Sequence, residues 1–271
     1  KGRSYPVDVY YLEEPTNNYV KTSVTTAIDI HTNQKKGDIL VFLTGEQEID
    51  EACELCREYI DRLDNKYRNV SVLPMYSNLP FPTQLNVFKR AKHGIRKIIF
   101  STNICETSVT IDGIVYVIDS GFVKISSFNP ITNINSLSVV KISKSIADQR
   151  KGRAGRVTHG KCFRLYSEDI YTKMDSDISP EIKRSDLTEC ILKLKSLGVD
   201  NILLFDFITE PNVSSLTYSL ELLYSLGAID DNCKLTDDVG VVLSQLPIDC
   251  KMAKMLIESN KMGCSHEILS I

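Results

Sequence analysis

Four strand-like runs, set between helix-forming stretches, restrict this chain to very few folds. Ile39–Leu43 (ILVFL) is continuously apolar, and Asn69–Met75 (NVSVLPM), Lys97–Ser101 (KIIFS) and Gly113–Asp119 (GIVYVID) read as the strands after it. A strand with one wet face alternates; an unbroken run belongs to a strand covered on both faces. Between the first two runs, Thr44-Gly-Glu-Gln47 has capping-box spacing and opens a helix with Ile49, Ala52, Cys53, Cys56, Ile60 and Leu63 on one side. Pro82 starts a second helix containing Leu85, Phe88 and Ala91. This alternation predicts an α/β fold, a parallel sheet flanked by helices. Val7–Tyr11 adds a strand, Tyr19–His31 a helix, Phe122–Ile142 a hairpin turning at Asn129-Pro130 and Asn133, and Lys161–Tyr166 a final strand.

After Ser179 the texture changes. Ser185–Leu197 reads as an amphipathic helix, with Leu187, Ile191, Leu194 and Lys195 marking its two faces. A second helix carries Leu216, Leu220, Leu223 and Leu226 and ends at Gly227; strand-like pieces follow at Cys233–Leu235 and Val239–Leu243. Helix, helix and small hairpin are the order of a winged helix. Two helices close the chain, Cys250–Glu258 and Ser265–Ile271, the last cut in mid-pattern. The expected domains are 1–178, 179–246 and 247–271. Lys1 is not a start methionine, so the chain is expected to begin inside a longer protein.

Charge is the next constraint. The 271 residues carry a formal net charge of −3, with 42% hydrophobic and 25% charged content, which suits a soluble globular protein. No apolar stretch is long enough to suggest a membrane span. Yet from Lys141 to Tyr166 eight lysines and arginines face Asp148 alone, a local charge of +7. Any polyanion contact is therefore local. The eight cysteines form no staple pattern, which points to reduced thiols in cytosol or nucleus. Cys53 and Cys56 fall on apolar helix positions and read as buried thiols, so no metal site is expected. His31, His93, His159 and His266 fit no catalytic pattern.

The centre of the basic stretch is QRKGRAGR, Gln149–Arg156. Arg150, Arg153 and Arg156 recur every third residue and would share one face of a helical turn. Such guanidiniums repel unless an anion lies among them, and arginine forks onto phosphate oxygens. Gly152 and Gly155 keep bulk away so that a partner can approach the backbone. A solvated basic loop is the plainer reading of the same residues. Two decoys are rejected. Gly155–Lys161 has GxxxxGK spacing, but Cys162 follows and the segment runs into a strand. Asp50-Glu-Ala-Cys53 resembles an acidic magnesium box but lies inside a helix.

Taken in order, these motifs resemble the DEAH-box branch of RNA helicases over the whole chain. QRKGRAGR is similar to motif VI, ILVFLTGEQEI (39–49) to motif IV with LPMYSNLP (73–80) after it, and STNICETSVTIDGIVYVIDSG (101–121) to motif V. SDLTECILKLKSLGVDNILLFDFITEP is similar to the winged-helix entry, and MLIESNKMGCSHEILSI to the start of the helical ratchet domain. The resemblance implies a second RecA-like domain, closing on ATP held with Mg²⁺ by an N-terminal RecA-like domain of the same protein. By position, Gln149 would place the attacking water, Arg153 would be the arginine finger and Arg156 a further phosphate contact. Phe88 would stack on the base, Asp112 would meet the ribose and Ser108 would sense the nucleotide. Thr44, Gly45, Thr102, Asn103 and Thr110 would hold the backbone of single-stranded RNA, and the 122–142 hairpin would sit near the strand-separation point. The family pattern further implies a nuclear protein, with the cytoplasm as an alternative, that works in pre-mRNA splicing or ribosome assembly, splicing-associated members being the nearest match, with spliceosome components or a glycine-patch activator as partners. The chain departs from that pattern at Cys105, where the family has Ala, near Ser77-Asn78, in Thr44-Gly-Glu-Gln-Glu48, where the family reads TGQEE, and at Lys151.

Each residue has a plainer reading: Thr44 as a helix cap, Phe88 as core, Asp112-Gly113 as a turn, Thr102-Asn103 as loop. A RecA-like and winged-helix binding module without hydrolysis, or a DNA helicase, would share much of the pattern. Retention of Gln149, Arg153 and Arg156 favours the enzyme, and motif V with the winged-helix entry favours RNA.

Overall fold

The computed structural model describes residues 5–91, 94–107 and 109–271. Eight strands are described: β1 (Val7–Tyr11), β2 (Asp38–Phe42), β3 (Val70–Met75), β4 (Arg96–Ser101), β5 (Ile114–Asp119), β6 (Phe122–Asn129), β7 (Ile134–Lys141) and β8 (Gly160–Arg164). Ten helices accompany them: α1 (Tyr19–Asn33), α2 (Glu46–Asp61), α3 (Phe81–Phe88), α4 (Lys144–Lys151), α5 (Glu168–Thr172), α6 (Thr188–Ser196), α7 (Val213–Ser225), α8 (Gly240–Gln245), α9 (Cys250–Met262) and α10 (Ser265–Ser270). Six strands form one parallel sheet in the order β1-β8-β5-β2-β4-β3, while β6 and β7 pair as a hairpin.

The strand-like runs are explained by two cores, one on each face of this sheet. Ile39, Val41, Ile98, Phe100 and Ile118 point toward α1 and α2, joining Val24, Ala27, Ile30, Ile49, Ala52 and Cys56. Their neighbours Leu40, Phe42, Ile99 and Val117 point the other way, joining Val87, Cys105, Ala154 and Cys162. Period-two alternation is thus present, but each phase meets protein. Cys53 and Cys56 are buried, and burial pushes both thiols up to about 12.

By contact the chain divides into two compact units, 1–125 with 138–178, and 126–137 with 179–271. The outer part of the hairpin therefore counts with the second unit. Its core gathers Leu187, Ile191, Leu192, Leu216, Leu223, Ala228, Val239, Leu243 and Ala253 from α6, α7, α8 and α9.

Several local expectations are corrected. The N-cap of α2 is Gly45, one residue later than the capping-box spacing suggests, and the Glu48 carboxylate accepts the Thr44 N–H at 3.1 Å. α3 stops at Phe88 because Lys89 turns extended, so Ala91 lies outside it. Lys195 does not mark a polar face: it is buried, with Nζ donating to Asp200 O at 2.9 Å. In the second unit Ile229 and Leu235 form a single antiparallel bridge, and Val239–Leu243 is not a strand. The Thr236 hydroxyl accepts the Gly240 N–H at 2.9 Å and starts α8 there.

Candidate active site and nucleic-acid interface

Parallel strands collect their carboxyl ends along one edge of the sheet, and one group of candidate residues lies there. Phe42 pairs with Ser101 and with Asp119, so the segments after β2, β4 and β5 emerge side by side. Thr44 and Gly45 follow β2; Thr102 and Asn103 follow β4. Gly45 has room above it, because an added Cβ would meet nothing closer than Lys124 Nζ, at 3.5 Å. Lys124, exposed on β6, lines an open cleft with Thr44, Gly45, Glu46, Gln47 and Glu48. Glu48 also accepts the Tyr19 hydroxyl, and the Tyr19 ring stacks on Phe122 at 4.9 Å. Burial, then this bond, pushes the Tyr19 hydroxyl up to about 12. Tyr19 thus holds the carboxylate that caps the Thr44 N–H.

The second group lies elsewhere. From Thr102 the chain crosses from the carboxyl end of β4 to the amino end of β5. Asp112 is exposed near that far end, and Gly113 takes φ +90°, where an added Cβ would come 3.0 Å from Asp38 Oδ2. Phe88, the last residue of α3, is 41% exposed and so is not a core side chain. Thr110 stands apart from the other four candidate RNA residues: its hydroxyl accepts a hydrogen bond from Arg156 Nη1. Ser108 lies outside the described residues.

The arginine run is helical only as far as Lys151, so its three arginines do not share one face. They occupy three environments. Arg156 is exposed; Arg153 is half-buried, donating from Nη1 to Val109 O at 3.1 Å and from Nη2 to Glu106 O. Arg150 is fully buried and donates to Glu106 Oε1 and Asp119 Oδ1, each at 2.7 Å. Burial, and then the charge of Arg156, holds Arg153 below the usual guanidinium range. An anion between Arg153 and Arg156 would relieve that repulsion. Gln149 is exposed at the end of α4. Gly155 is close-packed, but against the chain's own Tyr5 backbone and not a ligand.

The donor set suits a phosphate chain and does not suit its metal. Glu106 and Asp119, the carboxylates beneath the run, are buried and held by Arg150. Among the described residues no cluster of His, Cys, Asp or Glu could hold a metal ion.

The family profile of the helicase conserved C-terminal domain matches residues 21–158, which include both groups. This chain belongs to that helicase family. A winged-helix profile, the helicase associated domain HA2, matches residues 219–248. The probable ATP-dependent RNA helicase DHX35 of Homo sapiens is 46% identical over 100% of this chain and 39% of its own length. The Pongo abelii protein of the same name is also 46% identical, over 100% of this chain and 38% of its own. The chain therefore spans about two-fifths of these curated relatives. The crystal structure of the Escherichia coli DEAH/RHA helicase HrpB superposes with a TM-score of 0.82 at 30% identity, covering 95% of this chain and 32% of that one. A second structure, of the E. coli DExH-box NTPase HrpB, gives 0.80 at 30% identity over 95% and 31%. The RecA-like sheet and the DEAH/RHA kinship follow from these likenesses together with the fold.

Within this helicase domain, sequence reasoning missed Lys124 and the Arg150–Glu106–Asp119 cluster. A lysine two residues into a predicted hairpin was the available signal for the first. For the second, an acid in each of the 102–107 and 114–119 segments offered no cue to a common partner.

Proposed function

We propose that this chain is the C-terminal motor half of an ATP-dependent RNA helicase, coupling ATP hydrolysis to RNA translocation, unwinding or ribonucleoprotein remodelling. The observation that carries this reading is the pairing of Arg153 and Arg156, one half-buried and one exposed, beside a segment that also presents Thr110 and Asp112. ATP with Mg²⁺ supplies the phosphoryl group, and the residues that hold the metal belong to the N-terminal RecA-like domain of the same protein. On this chain Arg153 and Arg156 neutralise charge on the terminal phosphate oxygens, where an arginine finger contributes ~10³–10⁵ in rate. Gln149 orients the water, Phe88 stacks on the base, and Asp112 takes the ribose. Ser108 belongs with the same group.

At the carboxyl ends of the strands, Thr44, Gly45, Thr102 and Asn103, with Lys124, hold the sugar-phosphate backbone of single-stranded RNA without reading bases. Thr110 is assigned to the same RNA path by resemblance, and its hydroxyl accepts a hydrogen bond from Arg156. The winged helix spans 179–246, and 247–271 opens the helical ratchet domain. A nuclear role in splicing, with a spliceosome component or glycine-patch activator docked on the protein, extends the same reading.

The test is ATP turnover by the intact protein with single-stranded RNA and with single-stranded DNA. Stimulation by RNA, abolished in Arg153→Ala with nucleotide binding retained, is the expected result. Equal turnover in Arg153→Ala and wild type would refute the reading, and stimulation by DNA alone would move it to a DNA helicase.

A further inference from the structure

Beneath the arginine run lies a buried charged cluster that no step above uses. The Arg150 guanidinium bridges Glu106 and Asp119 and lies over the Phe42 ring, 4.9 Å from its centroid. Asp119 is itself fixed by Tyr166, whose hydroxyl donates to Oδ2 at 2.9 Å, and by the Gly121 N–H on Oδ1 at 3.0 Å. Burial alone would lower the Arg150 pKa, but the two carboxylates turn it upward, so it stays charged.

Arg153 depends on this cluster twice over. Its N–H donates to Arg150 O at 3.0 Å, closing the turn after α4. Its guanidinium rests on the carbonyls of Glu106 and Val109, in the segment between β4 and β5. Among the described residues that segment holds one 3-10 turn, Asn103–Cys105, and buries Cys105 and Ile111 against the sheet. Its charged tie to the arginine run is the Glu106 side chain, gripped by Arg150. We propose that Arg150 is a positioning residue for Arg153, acting through Glu106, so that it governs the phosphoryl-transfer rate and not nucleotide affinity. The proposal rests on the arginine-finger reading above.

Chemistry supports a geometric role over a merely stabilising one. Buried ion triads are costly to desolvate, and apolar replacements of equal volume are often neutral or stabilising. The fold alone does not require charges here. A planar guanidinium can hold two carboxylates from two segments at fixed angles, which an ammonium cannot. Arg164 is a useful contrast. It is also buried, but it meets Tyr11 and Asp148 and makes no hydrogen bond to Arg153 or Glu106.

The experiment uses the intact protein and the variants Glu106→Gln, Arg150→Lys, Arg153→Lys and Arg153→Ala. Readouts are kcat and KM for ATP at saturating single-stranded RNA, affinities for ADP and for ADP–aluminium fluoride, and thermal melting. Displacing a reacting group by about 1 Å costs on the order of 10²-fold in rate, so Glu106→Gln is expected to lower kcat by ~10–100-fold. KM for ATP and ADP affinity should stay near wild type, while ADP–aluminium fluoride affinity falls in parallel with kcat. Added to Arg153→Lys, the same change should cost far less than it does alone. Glu106→Gln removes a charge and no volume, so it carries the test even if Arg150→Lys fails to fold. Wild-type kcat in folded Glu106→Gln, or full additivity with Arg153→Lys, overturns the proposal. Wild-type turnover in Arg153→Ala would instead sink the finger reading beneath it.

Discussion

Gly155→Ala is the sharpest test of how the arginine run is seated. An added Cβ at Gly155 would lie 2.6 Å from Tyr5 O and 2.8 Å from Val7 Cγ2. Carbon–oxygen contacts are comfortable near ~3.3–3.6 Å, so the overlap with a main-chain oxygen is roughly 0.7 Å. That oxygen cannot swing aside. Tyr5 N donates to Gly155 O at 2.8 Å and Gly160 N to Pro6 O at 3.1 Å, so retreat of the 5–7 segment stretches both bonds. Overpacking costs about 1–3 kcal/mol and each weakened hydrogen bond about 0.5–1.5 kcal/mol. The stiffer unfolded chain offsets about 0.4–1 kcal/mol. The net is a loss of ~1–6 kcal/mol. Gly152 is the internal control, since its nearest atoms, Gln149 O and Asp148 O, stand at 3.3 and 3.4 Å. Gly152→Ala should fall within about 1 kcal/mol of wild type. Urea unfolding followed by circular dichroism, with the m value unchanged, measures both. If the two variants prove equally stable, the close packing of Gly155 on β1 is not what its glycine is for.

Three further outcomes follow from the geometry. Phe88→Ala should change stability by less than about 0.5 kcal/mol, because the ring is 41% exposed, while raising KM for ATP more than it lowers kcat; a large loss of stability would restore the core reading. Lys124→Ala should weaken single-stranded RNA binding and reduce the salt slope by about 0.7, and an unaltered slope would remove it from the RNA path. His31 is held below its ordinary pKa by burial, despite its bond to Tyr67 O at 2.7 Å. The unfolded chain therefore takes up the proton first, near pH ~6.5. Stability is full above that pH and declines as pH falls through the folded value. His31→Gln should flatten the difference in urea midpoint between pH 7.5 and 5.5 relative to wild type, and identical slopes would refute the assignment.

The strands were legible because every residue of β2 after Asp38 is buried, alternate side chains feeding opposite cores. Burial of that kind writes itself into local composition. The Arg150 cluster does not, because its partners stand 44 and 31 residues away and share no period with it. For the same reason QRKGRAGR looked like three equal arginines, although the helix ends at Lys151 and distributes them between core, crevice and surface. Val239–Leu243 carries β-branched residues and reads as a strand; a threonine hydroxyl four residues before Gly240 decides for helix. The candidate nucleotide and RNA residues were found by resemblance; only the strand register shows that Thr44, Gly45, Thr102 and Asn103 follow carboxyl ends of strands while Asp112 precedes β5. The hydrogen bond between Thr110 and Arg156 had no signal in the sequence either.

The hairpin carries a consequence for the order in which the chain acquires its structure. Its outer part, 126–137, finds its partners far downstream: Ser126 O accepts from Arg184 Nη1 across 58 residues, and Asn133 Oδ1 from the Tyr218 hydroxyl across 85. The Phe128 ring meets Tyr218 as well, at 5.1 Å. On a ribosome adding about 5–20 residues per second, the turn at Asn133 waits roughly 4–17 s before Tyr218 is even polymerised. During that interval the strands from β1 to β8 can close their sheet, while Phe128 still lacks the Tyr218 ring it packs on. Synthesis therefore completes the parallel sheet first and leaves this loop to find Arg184 and Tyr218 later.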